Sequence, residues 1–311
     1  MDICVQTGTV VYEFGFEQGY KMIRDAGFTA VDWNIDNDLS RTTLEKATEL
    51  KNLCIFEKPL DEVLAYYEPQ LKEIRKNGLK ISQAHAPFPA YLTGREDILD
   101  YTICVYCRII ELCDAVGCQN LIIHGITPSP GVTEAAEGPE QIHALNMKLY
   151  SSLIDTLKKT NVTVCLENLF RQAPMHNFYE GHCSDPHLAV EYIDTLNSMA
   201  GKECFGLCMD TGHLNLLGKR FYTYVPVLGK RIKALHIHDN AGKHDSHMAP
   251  YSGTILWHEF VEELRKIGYD HDLSFETFRQ TKQATVGAEL VPHFLAHIYT
   301  LGDYFRKKIS E

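Results

Sequence analysis

The sequence has no long hydrophobic run and no excess of positive charge, and both absences narrow the possible functions. No apolar stretch in its 311 residues approaches the roughly 20 residues that cross a bilayer. Acidic residues outnumber basic ones by 41 to 30, and the formal net charge of −11 disfavours broad attraction to nucleic acid or anionic membranes. The N-terminal segment lacks the basic-then-apolar pattern of a signal peptide, so we expect a cytoplasmic protein without a membrane partner.

A disulfide framework, a phosphate-cradling loop and a linker between domains are also missing. Most of the ten cysteines lie in apolar stretches, where a reduced thiol packs as a small hydrophobic group. Cys104 and Cys107 form a C-x-x-C in a helical segment, but no second pair stands at zinc spacing, so we expect both to pack. No glycine-rich loop of the P-loop type is present. We therefore expect a single domain over residues 1–311.

Short β-branched segments alternate with longer amphipathic segments, a pattern typical of repeated βα units around a parallel sheet. The predicted strands lie near residues 2–7, 29–35, 79–85, 120–124, 162–167, 205–210, 232–237 and 272–276. Eight strands, each followed by a helix, indicate the α/β class and a (β/α)₈ TIM barrel. Two connections, 37–59 and 168–184, exceed ordinary loop length, and we expect both at the same end of the barrel.

Polar side chains gather where six of the predicted strands end. Barrel enzymes place their catalytic groups at these carboxyl ends. The strand-end residues are His85, His124, Glu167, Asp210, His236 and Glu276, with His213 shortly after. Imidazole and carboxylate are good ligands for divalent ions, and several carboxylates packed together without a cation would repel one another. The pattern therefore predicts a divalent metal site, in which the carboxylates suit Mn²⁺ or Mg²⁺ and the added histidines favour Zn²⁺.

The order of these motifs resembles the xylose-isomerase-like barrel superfamily, which includes the sugar phosphate isomerases/epimerases and endonuclease IV. The resemblance covers nearly the whole chain. The matching strings are Glu167-Asn168, Asp210-Thr211-Gly212-His213, His236-Ile237-His238-Asp239-Asn240, Asp245-Ser246-His247 followed by Gly253, and Glu276. It implies the TIM-barrel fold and a metal site, whereas members of the superfamily catalyse several different reactions.

The resemblance also implies which residues bind metal. A core ion would be bound by Glu167, Asp210, His236 and Glu276. In the endonuclease branch further metals are held by histidines and one aspartate, and the residues at matching positions are His85, His124, His213, Asp245 and His247. We expect His238, two residues after His236, to point to the opposite side if the strand continues.

Two reactions follow from this resemblance. In a sugar or sugar-phosphate isomerase or epimerase, Glu167 and Glu276 would move protons next to a metal-polarised carbonyl, and His213 would contact substrate oxygens. Ala173 and Gly242 stand where the ketose 3-epimerases have a substrate-binding glutamate and arginine, which leaves isomerisation, epimerisation of another sugar and dehydration open. An endonuclease IV-like phosphodiesterase would use the larger ligand set. The charge-balanced loop 37–59 is a poor track for phosphates, which disfavours a nucleic-acid substrate.

Further substrate contacts are expected from side chains predicted to face the same bowl. The predicted contacts are His85, His213, Trp33, Arg171 and Lys243, with Asn34, Phe88 and Phe170 beside them. An aromatic ring can pack against a sugar face, and a basic side chain can bind an anionic group. The sequence leaves open whether the sugar is phosphorylated, and a homo-oligomer is compatible with the general tendency of enzymes to associate symmetrically.

Overall fold

Eight parallel strands form one sheet that curves into a barrel. This computed structural model describes residues 1–127, 138–173 (of Ala173 the backbone only) and 177–311. The barrel strands are β1 (Ile3–Gln6), β2 (Ala30–Asn34), β3 (Lys80–His85), β4 (Asn120–Ile123), β5 (Thr163–Glu167), β8 (Phe205–Asp210), β9 (Ile232–His236) and β10 (Leu273–Phe275). All eight predicted strands are confirmed, with ends that differ by at most one residue.

The barrel closes between β9 and β10. The strand order is β10-β1-β2-β3-β4-β5-β8-β9, and every neighbouring pair in it is parallel. Just past β9, the Ile237 amide donates to the Ser274 carbonyl at 2.8 Å, and the Glu276 amide donates to the Ile237 carbonyl at 3.1 Å. These two bonds join the edges of the sheet, so the predicted TIM barrel is confirmed.

Helices cover the outside of the barrel. Those in the described residues are α1 (Val10–Phe14), α2 (Phe16–Asp25), α3 (Arg41–Lys46), α4 (Leu60–Lys76), α5 (Glu96–Val116), α6 (Pro139–Ser151), α7 (Ile154–Leu157), α8 (Pro186–Ala200), α9 (Thr211–Leu216), α10 (Phe221–Leu228), α11 (Trp257–Lys266), α12 (Phe278–Thr281), α13 (Gln283–Val286) and α14 (Val291–Ser310). No described helix has the length and apolar character that a bilayer crossing requires. The predicted cytoplasmic location stays a prediction.

Small apolar residues fill the middle of the barrel. Ile122, Cys165, Cys208 and Ala234 form a buried cluster separate from the main core, which lies between the sheet and the helices. All ten cysteines are free thiols, as predicted. Both C-x-x-C cysteines lie on α5 as expected. Cys107 is half-buried and packs against the core, whereas Cys104 is exposed, so the expectation that both pack was wrong for Cys104.

The two long connections contain secondary structure that the sequence analysis missed. The first includes α3, whose N-terminus is capped by the Ser40 hydroxyl accepting from the Thr43 amide at 3.1 Å. The second forms an antiparallel hairpin of β6 (Phe170–Ala173) and β7 (Asn177–Glu180); residues 174–176 between them lie outside the described part. The hairpin stands at the carboxyl end of β5, as expected, and its first residue faces the site described next.

Candidate active site

Strand ends and helix starts position the carboxylates at the C-terminal end of the barrel. Asp210 is the last residue of β8 and also caps α9, because its Oδ1 accepts from the His213 amide at 2.7 Å. Its other oxygen, Oδ2, is left to face the centre, 2.9 Å from Nε2 of His238. Glu167, the last residue of β5, and Glu276, which follows β10, also lie at the carboxyl ends of barrel strands. The predicted convergence of strand ends is thus present in the structure.

Three of the four residues expected to bind the core metal surround a ring nitrogen of the fourth, His236. Nδ1 of His236 lies 3.4 Å from Glu167 Oε2, 3.7 Å from Glu276 Oε2 and 4.0 Å from Asp210 Oδ2. Glu167 and His236 are each 1% exposed, Asp210 is fully buried and Glu276 is 8% exposed. Three carboxylates and an imidazole therefore converge within a space that one divalent ion would bridge.

The five additional ligand candidates adjoin this quartet on both sides. On one side His124 Nε2 lies 3.1 Å from His85 Nε2 and 3.0 Å from Glu167 Oε2. On the other side Asp245 Oδ2 lies 3.0 Å from His247 Nε2 and 3.5 Å from His213 Nε2. Each of the nine predicted residues belongs to at least one group of three whose ligand atoms lie within 4.8 Å of one another. These groups are His85/His124/Glu167, Glu167/Cys208/His236, Asp210/His213/His238, His238/Asp245/His247 and Asp210/His236/Glu276.

The expectation for His238 was wrong. Its side chain is fully buried, points toward Asp210, and stacks on the His247 ring with centroids 4.0 Å apart. Side chains alternate along a strand, so residues two apart lie on the same face, and His238 should have been expected beside His236. His238 is therefore a further candidate ligand, together with the thiol of Cys208 below it in the barrel.

Buried polar atoms without partners provide a test of whether a cation fits this site. Both ring nitrogens of His236, Oε2 of Glu167, Nδ1 of His238 and Oδ1 of Asp245 have no hydrogen-bond partner in good geometry. Such groups are rare in proteins, because burial without a partner is costly. Imidazole nitrogens and carboxylate oxygens are suitable donors for Zn²⁺, Mn²⁺ and Mg²⁺, so the residues present fit a divalent cation.

The carboxylates and imidazoles strongly shift one another's ionisation. Burial raises the pKa of Glu167, but His124 and His236 outweigh it and hold that pKa well below its ordinary value. Burial lowers the pKa of His85, yet the neighbouring carboxylate of Glu167 and the charge of Asp36 outweigh burial and raise it to about 9. Glu167 thus stays ionised, and without a metal His85 balances part of its charge by holding a proton.

A cavity of about 450 Å³ opens over these groups. Phe88, Phe170 and Phe278 form apolar parts of its wall, and Asn34 and Asp36 line it beside His85. None of the described residues that line it is a lysine or an arginine. The segments 128–137 and 174–176 contain no lysine or arginine in the sequence either. The described part of the cavity wall therefore combines hydrogen-bonding groups with aromatic rings and contains no lysine or arginine.

Three predicted substrate contacts do not line this cavity. Trp33 is fully buried on the outer side of the barrel, where its Nε1 donates to Gln70 Oε1 at 3.1 Å, so the expectation that it faces the bowl was wrong. The reason is alternation, because Asp32 and Asn34 on either side of it take the inward positions. Arg171 lines a neighbouring cavity and donates from Nε to the Glu180 carbonyl at 2.9 Å, and Lys243 is exposed in a loop.

Asp36 and Phe278 also line the cavity, although the sequence did not lead us to predict them there. Asp36 begins a short 3₁₀ turn just past β2, and Phe278 lies two residues after Glu276. Both directly follow strand ends, which is the signal that could have identified them.

The family can be assigned from most of the chain. A family model described as "Xylose isomerase-like TIM barrel" matches residues 21–296. The chain belongs to this family. The resemblance inferred from the strand-end motifs is thereby confirmed.

Relatives of this xylose isomerase-like barrel cover nearly its full length at low identity. The uncharacterized protein y4fM from Sinorhizobium fredii (strain NBRC 101917 / NGR234) is 24% identical over 292 residues, covering 89% of this chain and 87% of y4fM. The solved 3-keto-D-glucoside 4-epimerase YcjR from E. coli has a TM-score of 0.67 and 16% identity, over 96% of this chain and 99% of that one. D-psicose 3-epimerase from Clostridium cellulolyticum H10 has a TM-score of 0.69 and 12% identity, over 98% and 99%. At these identities the structural likeness shows the fold alone.

Proposed function

We propose that this protein is a divalent-metal-dependent isomerase or epimerase that acts on a sugar. The observation that carries the proposal is the convergence of Glu167, Glu276 and Asp210 within 4.0 Å of His236 Nδ1 at the carboxyl end of the barrel. The similar structures named as sugar epimerases support the same class of reaction. Glu167, Asp210, His236 and Glu276 would hold the core metal.

The two glutamates are the proposed proton carriers. A bound divalent ion supplies Lewis acidity that makes a C–H next to a substrate carbonyl more acidic. Glu167 and Glu276 both line the cavity and belong to different strand ends, so each is available to a carbon bound between them. One would remove the proton as a base and the other would return a proton as an acid. His213 and His85, which also line the cavity, would hydrogen-bond to substrate oxygens.

The cavity favours a neutral sugar over a sugar phosphate. No described lining residue is a lysine or an arginine, and Asp36 adds a carboxylate to the wall, with Oδ1 lacking a partner. A carboxylate accepts hydrogen bonds from hydroxyl groups but repels a phosphate, whereas the aromatic rings suit the apolar face of a sugar. The substrate class we propose is therefore an unphosphorylated ketose, aldose or keto-glycoside.

The decisive experiment measures proton exchange along with metal content. Metal per chain is determined by elemental analysis, and the protein, reloaded with Mn²⁺, Zn²⁺ or Mg²⁺, is incubated with neutral sugars in D₂O. We expect deuterium at the carbon next to the carbonyl, together with an isomer of unchanged mass apart from the label. Glu167→Gln and Glu276→Gln serve as matched variants that keep the size of each side chain. A product lighter by one water would instead identify a dehydratase, and no exchange with any loaded metal would refute the proposal.

A second candidate, phosphodiester hydrolysis, is favoured by the size of the ligand set. Nine predicted residues and His238 form overlapping groups, more than a single-ion site requires. Clustered metals can activate water and stabilise the leaving oxygen of a phosphodiester. Two or three zinc ions per chain, with hydrolysis of bis(p-nitrophenyl) phosphate or of abasic DNA that is lost in Glu167→Gln, would establish this reaction in place of the first.

A further inference from the structure

A buried carboxylate lies beneath the proposed metal site, inside the barrel. Asp32 occupies the middle of β2 and is 1% exposed. Its Oδ2 accepts from Gln83 Nε2 at 2.7 Å and from Ser274 Oγ at 3.1 Å, and its Oδ1 has no partner. Its described contacts include no lysine or arginine. A carboxylate in such a place is costly unless another group gains from its charge.

The imidazole of His236 lies directly above this carboxylate. Its Nε2 is 3.4 Å from Asp32 Oδ2, whereas its Nδ1 faces Glu167, Glu276 and Asp210. The two ring nitrogens thus point to opposite layers, one to the metal ligands and one to the barrel interior. If Nδ1 binds a cation, the ring proton must be on Nε2, and Asp32 is the acceptor that faces it.

Irregular pairing of the sheet helps to hold this pair together. Asp32 lies opposite Gln83, where the register between β2 and β3 shifts by one residue, and a second shift occurs between β8 and β9 at Leu207 and Cys208, two pairs before His236. Extra residues of this kind commonly re-aim side chains next to active sites. Gln83 Nε2 also lies 3.3 Å from the Leu235 carbonyl, so the amide that holds Asp32 contacts the strand that carries His236.

We propose that Asp32 is a positioning residue that holds His236 as the Nε2–H tautomer and orients Nδ1 toward the metal. Their present 3.4 Å separation exceeds that of a good hydrogen bond. A bound ion that drew the ring into place would shorten it. A carboxylate behind a metal-bound histidine raises the basicity of the ligand and fixes its orientation. The inference rests on the proposed function only through the metal and does not depend on which sugar is the substrate.

The thiol of Cys208 is the competing partner for His236. Its Sγ belongs to the group formed with Glu167 and His236, whose ligand atoms lie within 4.8 Å of one another. A neutral thiol is a weak hydrogen-bond acceptor, whereas a carboxylate is a strong one. Asp32 is therefore the better partner for an Nε2 proton.

The first test titrates the metal-free protein with Co²⁺ and records affinity and visible absorption. Asp32→Asn keeps an oxygen beside His236 but removes the charge, whereas Asp32→Ala removes the acceptor. We expect Co²⁺ affinity to fall in the order wild type, Asn, Ala, with a loss of about 10- to 100-fold for Ala and a changed ligand-field spectrum. The control Asp272→Asn, at the opposite end of the barrel, should keep the affinity within a few-fold of wild type, and Cys208→Ala tests the competing thiol.

Two results would overturn the proposal. Wild-type Co²⁺ affinity and absorption in both Asp32 variants would leave Asp32 with a structural role only, even if the melting temperature fell. Loss of affinity in Cys208→Ala but not in the Asp32 variants would assign the role to the thiol. Because no substrate is used, either result is independent of whether sugar isomerisation is ever detected.

A second measurement needs no change to Asp32. In the Zn²⁺-loaded protein labelled with ¹⁵N-histidine, the tautomer of each ring can be read by NMR, with His236→Asn used to assign one signal. We expect His236 to carry its proton on Nε2, in slow exchange with water. A proton on Nδ1, or a ring without Zn²⁺, would refute the proposal even if both Asp32 variants fail to fold.

Discussion

The two ends of the barrel differ in whether their polar groups have hydrogen-bond partners. At the N-terminal end Asp272 accepts from the Asp2 amide at 2.6 Å and from Ser82 Oγ at 2.7 Å, and Asp2 accepts from Thr29 Oγ1 and Lys80 Nζ, each at 2.7 Å. At the C-terminal end Glu167, His236, His238 and Asp245 each keep a buried atom without a partner. The same sheet therefore completes its hydrogen bonds at one end and leaves them incomplete at the other.

This difference separates stability from function within one fold. Paired groups add to the free energy of unfolding, whereas buried groups without partners reduce it and persist where a ligand completes them. Changes at the C-terminal end should accordingly alter metal binding and turnover, and changes at the N-terminal end should alter stability. Variants at the two ends can therefore test whether stability and function are separated in this way.

Loss of a proton carrier should have the largest effect. We expect Glu167→Gln and Glu276→Gln each to lower turnover on the identified sugar by about 10²- to 10⁴-fold, because an amide cannot exchange the proton. Asp272→Asn should show the reverse, with normal turnover and about 1–2 kcal/mol less stability. Equal loss of turnover in all three variants would abolish the proposed division.

Metal addition should produce the next largest effect. An ion that binds only the folded protein stabilises it by about 3–4 kcal/mol at 100- to 1,000-fold excess over the dissociation constant. We expect Zn²⁺ or Mn²⁺ to raise the melting temperature in calorimetry, and a chelator to reverse the shift. Asp210→Asn should lose most of this gain, whereas Asp272→Asn should keep it. An unchanged melting temperature with every ion tested would argue against a metal site.

His182 provides a polar group at the C-terminal end that a metal would not complete. Burial, with the nearby His143 and His124, lowers its pKa to about 3, and its ring stacks on Tyr150 with centroids 5.6 Å apart. Below about pH 6.5 His182 binds a proton in the unfolded chain but stays neutral in the folded protein. The free energy of unfolding therefore falls as pH falls from about 6.5 toward 3.

We expect wild type to lose about 2 kcal/mol more than His182→Phe between pH 7 and pH 5, from the relation of about 1.4 kcal/mol per pH unit. Urea unfolding at several pH values measures this difference. Parallel pH profiles for the two proteins would show that His182 is not held neutral in the folded state.

The strands and their carboxyl ends were predictable because two sequence signals flank them. Glycines such as Gly78 and Gly117 precede strands, and residues such as Glu167 and Asp210 follow β-branched or apolar runs, so position and chemistry coincide. The hairpin of β6 and β7 lacks such a mark: its segment contains Pro174 and no β-branched residue between Phe170 and Glu180. Its pairing depends on contacts that local composition does not encode.

The direction of side chains within a strand was the least predictable property. A parallel strand is buried on both faces, so β2 reads as buried throughout and gives no sign of which residues point inward. This is why Trp33 was assigned to the bowl, whereas Asp32 is the residue that faces inward. Which residue faces inward was decided by pairing with β3, where the register shift places Gln83 opposite Asp32.

The two faces of β2 offer the smallest and most specific test. Trp33→Phe removes the bond from Nε1 to Gln70, which still accepts from the Tyr20 hydroxyl at 3.1 Å, so we expect about 1 kcal/mol less stability and an unchanged KM. Phe170→Leu, which changes a ring that lines the cavity, should raise KM and leave stability nearly unaltered. Urea unfolding and steady-state kinetics measure both. If Trp33 only packs on the helical side of β2, its substitution should change only the unfolding free energy. A higher KM in Trp33→Phe at normal stability would therefore show that Trp33 affects substrate binding.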